Sequence, residues 1–154
     1  DYLRDGPCRY FGYANEVGEA FRVIAPAFVL PSYFVSFGYV FMDTFDKTIK
    51  VRNNASPTDR NRLMLETAVD TLLWQTAASV VIPGFTINRV VSLAAKVLKH
   101  HSSAAVRRWV PTMIGLGVIP AIVHPIDDMV TYAMNHSTRR LMSQSCDAPP
   151  AQEP

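Results

Sequence analysis

The sequence predicts an all-α protein, a small multi-pass membrane helix bundle of about three spans with an amphipathic N-terminal helix and a polar C-terminal helix. Apolar residues fill 49% of its 154 positions, a share that soluble chains approach, so the total decides little. Their distribution decides more. They pool into three uncharged runs, Val23 to Met42, Thr71 to Asn88 and Trp109 to Ile126, with nearly all charges between or outside them. Each run is about 18 to 20 residues, close to the length that carries a helix across hydrocarbon. Eleven prolines would burden a soluble helical domain. In membrane helices, neighbours satisfy the backbone groups that a proline frees. One helical domain is expected over 1–142, followed by a disordered tail over 143–154, rich in Pro, Ser and Gln.

The N-terminal 22 residues carry charges of both signs. After Pro7, Tyr10, Tyr13, Ala14, Val17 and Phe21 follow helical spacing, while Asn15, Glu16, Glu19 and Arg22 face elsewhere. A short amphipathic helix is predicted, either lying at a membrane interface on its aromatic rings or capping a core. In the first span, 23–42, Pro26 and Pro31 are expected to bend the first half, and Ser32 with Ser36, four apart, supply a close-packing face. Asp43, Asp46, Lys47 and Lys50 then return the chain to water. Ser56-Pro57-Thr58-Asp59 reads as a helix start with Ser56 as N-cap, and that helix runs directly into the central span. Asp70, one residue before the uncharged run, reads as an interfacial carboxylate.

The central span, 71–88, organises the chain. Thr67, Thr71, Gln75, Ser79 and Pro83 recur every fourth residue, a seam of small or polar groups that a packed neighbour suits better than lipid, with Gln75 placed to hydrogen-bond across the gap. Pro83-Gly84 is expected to interrupt the helix. A second helical stretch follows to His101. From Arg89 to Arg108 the chain holds five Lys or Arg and no acid, so Lys96, Lys99, Arg107 and Arg108 are candidates for contact with an anionic lipid surface. Trp109 at the edge of the third span, 109–126, fits an interface anchor. Pro120 and Pro125 are expected to bend or end that helix, with a second start at His124-Pro125-Ile126-Asp127-Asp128 and a final polar helix to about Met142.

No catalytic, cofactor-binding or metal-binding constellation is expected. No glycine-rich phosphate loop, HExxH or GxSxG occurs, and the charge of +2 with no aromatic-interleaved basic patch gives no sign of nucleic acid. Cys8 and Cys146 stand near opposite ends, without the pairing of a disulfide framework or zinc site. His124 lies three residues before Asp127, within reach of a hydrogen bond, and beside a proline-started helix it reads as a capping residue rather than a catalytic or metal-binding pair. The chain opens at Asp1 without an initiator methionine, which leaves room for a preceding segment. Three spans divide the basic residues eight against seven between the two sides. The acid-free connector tilts the expectation toward placing 89–108 and the N-terminus on the more negative side.

Three stretches closely resemble the signatures of the mitochondrial fission process proteins, also called mitochondrial 18 kDa protein. They are RYFGYANEVGEAFR (Arg9 to Arg22), WQTAASVVIPGFTINR (Trp74 to Arg89) and IPAIVHPIDD (Ile119 to Asp128), in agreeing order over roughly residues 4 to 142. The first span and its connector match loosely, and the charged pattern after Asp127 departs. The resemblance implies a multi-pass protein of the inner mitochondrial membrane, linked to fission, inner-membrane integrity and respiratory coupling, without an established enzymatic activity. By that resemblance Glu16 to Glu19 and Gly84 to Arg89, Asn88 included, become candidate functional surfaces; either Glu16 or Glu19 paired with Arg89 would hold the N-terminal helix against the central span. Implied partners are membrane lipids, anionic ones included, and inner-membrane carriers or respiratory and ATP-synthase subunits. The alternative is a structural accessory subunit of a large respiratory or ATP-synthase assembly. A channel or transporter would place paired ionisable groups in mid-span, where only Asp70, Gln75 and His124 come near.

Overall fold

The computed structural model describes residues 7–146, and every regular element among them is helical. A 3-10 turn, Pro7–Tyr13, leads into a short helix α1, Ala14–Ala20. A second 3-10 turn, Pro26–Phe28, opens α2, Val29–Asn54. Pro26 heads that turn and Pro31 falls in the first turn of α2, where backbone N–H groups have no intrahelical partner anyway. The two prolines therefore set where the helix begins and do not bend its interior.

The central rod corrects the expected break at Pro83-Gly84. Helix α3, Arg60–Gln75, passes through a wide π turn, Thr76–Val81, into α4, Ile82–Val97, without interruption. The N–H of Ile82 donates to the carbonyl of Ala77, five residues back. Widening the turn in this way relieves the clash a proline ring makes in a tight α-helix. The start of α3 also differs, since Asp59 and not Ser56 precedes its first residue, and the Ser56 hydroxyl donates to the Asp59 carboxylate at 3.2 Å.

A 3-10 turn, Leu98–His100, leads to α5, Ala104–His136, which runs through Pro111, Pro120 and Pro125. No second helix starts at His124-Pro125. The chain breaks instead at Ser137, and α6 occupies Thr138–Cys146. Its backbone thus continues past Ser143, where the tail was expected to begin; residues 147–154 and the side chains of Cys8 and Cys146 lie outside the described set.

Helices α2 and α3 pack as one antiparallel hairpin, α4 and α5 as another, and α1 lodges against α2, α4 and α5. Trp74 and Ala78 meet Ile126, Val130 and Met134 of α5 in one apolar cluster. Ala20 of α1 joins Ile87 and Val91 of α4 in a second. Three helical stretches, 26–54, 60–100 and 104–142, are long and apolar enough to cross a membrane, and each buries well under half of its apolar window inside the fold. Phe34, Phe41 and Phe45 on α2, Val81 and Phe85 on the central rod, and Met113 and Ile114 on α5 all face outward, whereas Asn15, Glu16, Glu19, Ser36, Asp43 and Gln75 are buried. Polar groups inside an apolar exterior is the arrangement that hydrocarbon selects.

Candidate functional site

Helix α1 turns its polar face inward. Val17 is exposed, while Asn15, Glu16, Gly18 and Glu19 point inward. The inward stripe meets the seam of the central rod and a matching seam on α2, and together they form a buried polar ladder.

Glu19, 2% exposed, is the upper rung. Its carboxylate accepts two hydrogen bonds from Arg22 at 2.7 and 2.8 Å, one from the Tyr33 hydroxyl at 3.0 Å and one from Asn88 Nδ2 at 3.0 Å. Burial works against a charged carboxylate, but these hydrogen bonds and the Arg22 charge outweigh it and hold Glu19 below its ordinary value of 4.5. The hydrogen bond to Glu19 in turn raises Arg22. Gly84 makes this rung possible: a Cβ there would lie 2.7 Å from the Tyr33 hydroxyl and 2.8 Å from Asn15 Nδ2.

The middle rung joins α1, α2 and the π turn. Asn15 Nδ2 donates to the carbonyl of Val80 at 3.0 Å, the Asn15 backbone N–H donates to Ser36 Oγ at 2.9 Å, and Ser36 Oγ donates to Asn15 Oδ1 at 2.9 Å. A π turn shifts the helical acceptors and Pro83 supplies no N–H, so this segment needs an outside donor, which Asn15 provides. The lower rung is centred on Asp43, fully buried, which accepts from Gln75 Nε2 at 2.6 Å and Lys47 Nζ at 2.7 Å. Ser79 Oγ donates to Gln75 Oε1 at 2.7 Å. One level further along, Arg139 clasps Asp70 through two bonds of 2.7 and 2.8 Å.

The structure therefore brings together Glu16, Glu19, Gln75, Ser79, Pro83, Gly84 and Asn88, and leaves other candidates apart. Arg89 is exposed and rests over the Phe85 ring at 4.9 Å, so it does not pair with Glu19; the neighbouring Asn88 takes that place on the inward face. His124 is exposed and Asp127 half-buried on α5, away from the ladder. Lys96, Lys99, Arg107, Arg108 and Trp109 are all exposed around the α4–α5 turn. Sequence reasoning missed Asn15, Tyr33 and Asp43. The available signal for Asp43 was its seven-residue spacing from Ser36, which continues a polar seam along α2. Among the described residues no group of three or more His, Cys, Asp or Glu could hold a metal ion. The Glu19 carboxylate is committed to four hydrogen bonds, which tie α1 to α2 through Tyr33 and to α4 through Asn88.

The sequence model of the family described as Mitochondrial 18 KDa protein matches residues 3–68 and 46–134. The chain belongs to this family. Among the 18 kDa protein family's curated members, "Mitochondrial fission process protein 1" of Caenorhabditis elegans is 44% identical over 149 residues, covering 94% of this chain and 90% of its own. Its counterpart in Homo sapiens is 47% identical over 145 residues, covering 92% and 87%. An uncharacterized protein of Acanthamoeba polyphaga mimivirus is 30% identical over 139 residues, covering 86% and 74%. No solved structure matches the chain. In this member of the 18 kDa protein family the three signature stretches meet in space: Arg9 to Arg22 supplies α1, Trp74 to Arg89 supplies its partners in the central rod, and Ile119 to Asp128 packs Ile122 and Ile126 behind them.

Proposed function

We propose that this chain acts in mitochondrial fission as a non-enzymatic, multi-pass protein of the inner mitochondrial membrane, where it organises that membrane and regulates respiratory coupling. The observation that carries the reading is its near-complete match to relatives named for mitochondrial fission. Its physical basis is a fold that encloses a polar ladder beside two small apolar clusters and turns apolar faces outward, which makes it a shaped body for a bilayer. Membrane lipids, anionic ones included, cover those faces. Other inner-membrane proteins, carriers or respiratory and ATP-synthase subunits, bind where Gly38 on α2 and Gly117 on α5 leave open space above the backbone.

The test is re-expression in cells depleted of the endogenous relative, with mitochondrial length as the readout. Wild-type chain should shorten the network, and Glu19→Leu with Asn88→Leu, which removes the upper rung, should not. A network indifferent to the wild-type chain would overturn the fission reading. For location, protease should spare the protein in intact mitochondria and reach it only after the outer membrane is opened. Native electrophoresis in mild detergent separates this reading from that of an accessory subunit, which would migrate wholly with its assembly.

A further inference from the structure

We infer that the tip of the α4–α5 hairpin is a docking surface for the anionic headgroups of one leaflet, an inference that rests on the membrane reading above. From Thr71 to Ile126 the chain carries no acid, so no carboxylate on α4 or on the part of α5 nearest the turn offsets these cations; Asp127 and Asp128 stand toward the far end of α5. The packing then fixes where the cations stand. Gly115 lies against Val91, close enough that a Cβ on the glycine would come within 2.7 Å of Val91 Cγ2, which puts the two residues at one depth. Lys96 and Lys99 follow Val91 by about 8 to 12 Å along the axis, and Arg107 and Arg108 precede Gly115 by about 10 to 12 Å. Four cations from two antiparallel helices therefore reach one level.

All four are exposed, and at the same level Val97, 76% exposed, and Trp109, 54% exposed, face outward at about 9 Å from the reference depth. An indole and an apolar side chain interleaved with four cations suit the interfacial zone of a bilayer, where aromatic rings and basic side chains meet the headgroups. The ring is held in shape. Arg107 Nη1 donates to the His101 carbonyl at 2.6 Å, tying the start of α5 to the turn, and leaves its other nitrogens for phosphate. Glu19, a buried acid on the neighbouring α1, is already claimed by Arg22, Tyr33 and Asn88.

The test is reconstitution of the full chain in nanodiscs of phosphatidylcholine mixed with an anionic phospholipid, followed by native mass spectrometry of the lipids retained in mild detergent. Wild type should retain anionic lipid in preference to phosphatidylcholine. Each of Lys96→Gln, Lys99→Gln, Arg107→Gln and Arg108→Gln should reduce retention roughly fivefold, the equivalent of about 1 kcal/mol per cation near headgroups. The charge-keeping set Lys96→Arg, Lys99→Arg, Arg107→Lys and Arg108→Lys should retain the lipid, which separates loss of charge from loss of folding. Neutralising Lys50 and Arg52 at the opposite end should change nothing. Equal retention of the two lipids by wild type, or unchanged retention in the fourfold Gln variant, would overturn the inference, as would full displacement by inorganic phosphate with no lipid preference. A chain that retained anionic lipid but failed to shorten mitochondria would refute the fission reading and leave this one standing.

Discussion

Glycines at different places in one fold bear opposite consequences. Gly84 faces the Tyr33 hydroxyl and the Asn15 amide at under 3 Å from where a Cβ would stand, while the positions above Gly38 and Gly117 are open. Gly84→Ala should therefore lower stability by about 1 to 3 kcal/mol through overpacking, and Gly117→Ala should raise it by up to about 1 kcal/mol through helix propensity. Unfolding in mixed micelles with increasing dodecyl sulfate measures both, and equal effects would show that the upper rung does not depend on close approach. Glu19 makes a separate prediction in pH. Its folded carboxyl is held below the ordinary 4.5, so its contribution is fully present above that value and is lost as pH falls through the lower folded one. Stability should be flat above pH 4.5 as far as this group is concerned and fall on acidification below it. Glu19→Gln should remove part of that acid limb; a variant with the wild-type slope would assign the limb to other carboxylates.

Among the elements, α2 and the central rod are joined by Asp43 and Gln75 at a distance of 32 residues in sequence. Asp43→Asn keeps an oxygen for Gln75 and should cost about 1 to 2 kcal/mol. Asp43→Leu removes the acceptor for both Gln75 and Lys47 and should cost about 3 kcal/mol or more. If the two variants unfold alike, the rung contributes only packing. The positions of these residues show what was legible in the sequence. Gln75 and Ser79 could be read because the every-fourth spacing around them needs no knowledge of the partner. Asp43 could not be read by the same habit, since it looks like the first charge after an apolar run and only its register with Ser36 reveals the continuing seam. The polar stripe on α1 was visible, but its direction was not, because which face turns inward depends on whether the outside is water or hydrocarbon. The π turn was hidden for a different reason: its outside donor, Asn15, lies 65 residues away from Val80. Prolines 120 and 125 read as bends or stops because each removes a backbone donor and clashes with the preceding turn of its own helix, whereas helices packed alongside let α5 continue through them.

At the scale of the molecule, the lengths constrain the topology. The rod from 60 to 100 has 41 residues and spans about 60 Å, twice the hydrocarbon thickness of about 30 Å, so it projects beyond the bilayer. The turn over 55–59 lies at one end of that rod and the turn over 98–103 at the other. Asp70 clasps Arg139, which places α6 with the first end, while Ala20 packs on Val91 and places α1 toward the second. Three crossings then require the 55–59 turn and α6 to share one compartment and the 98–103 turn to face the other. With Cys8 and Cys146 replaced by Ser, a single cysteine at Ser56 and one at Ser102 should react with a membrane-impermeant maleimide from opposite faces of sealed vesicles, and one at Ser137 should follow Ser56. Labelling of Ser56 and Ser102 positions from the same face would mean an even number of crossings between them, and the three-span bundle would have to be abandoned. The basic ring of the α4–α5 turn should meet the more anionic leaflet, so raising the anionic lipid fraction of that leaflet alone during reconstitution should increase the share of molecules inserted with Ser102 on that side.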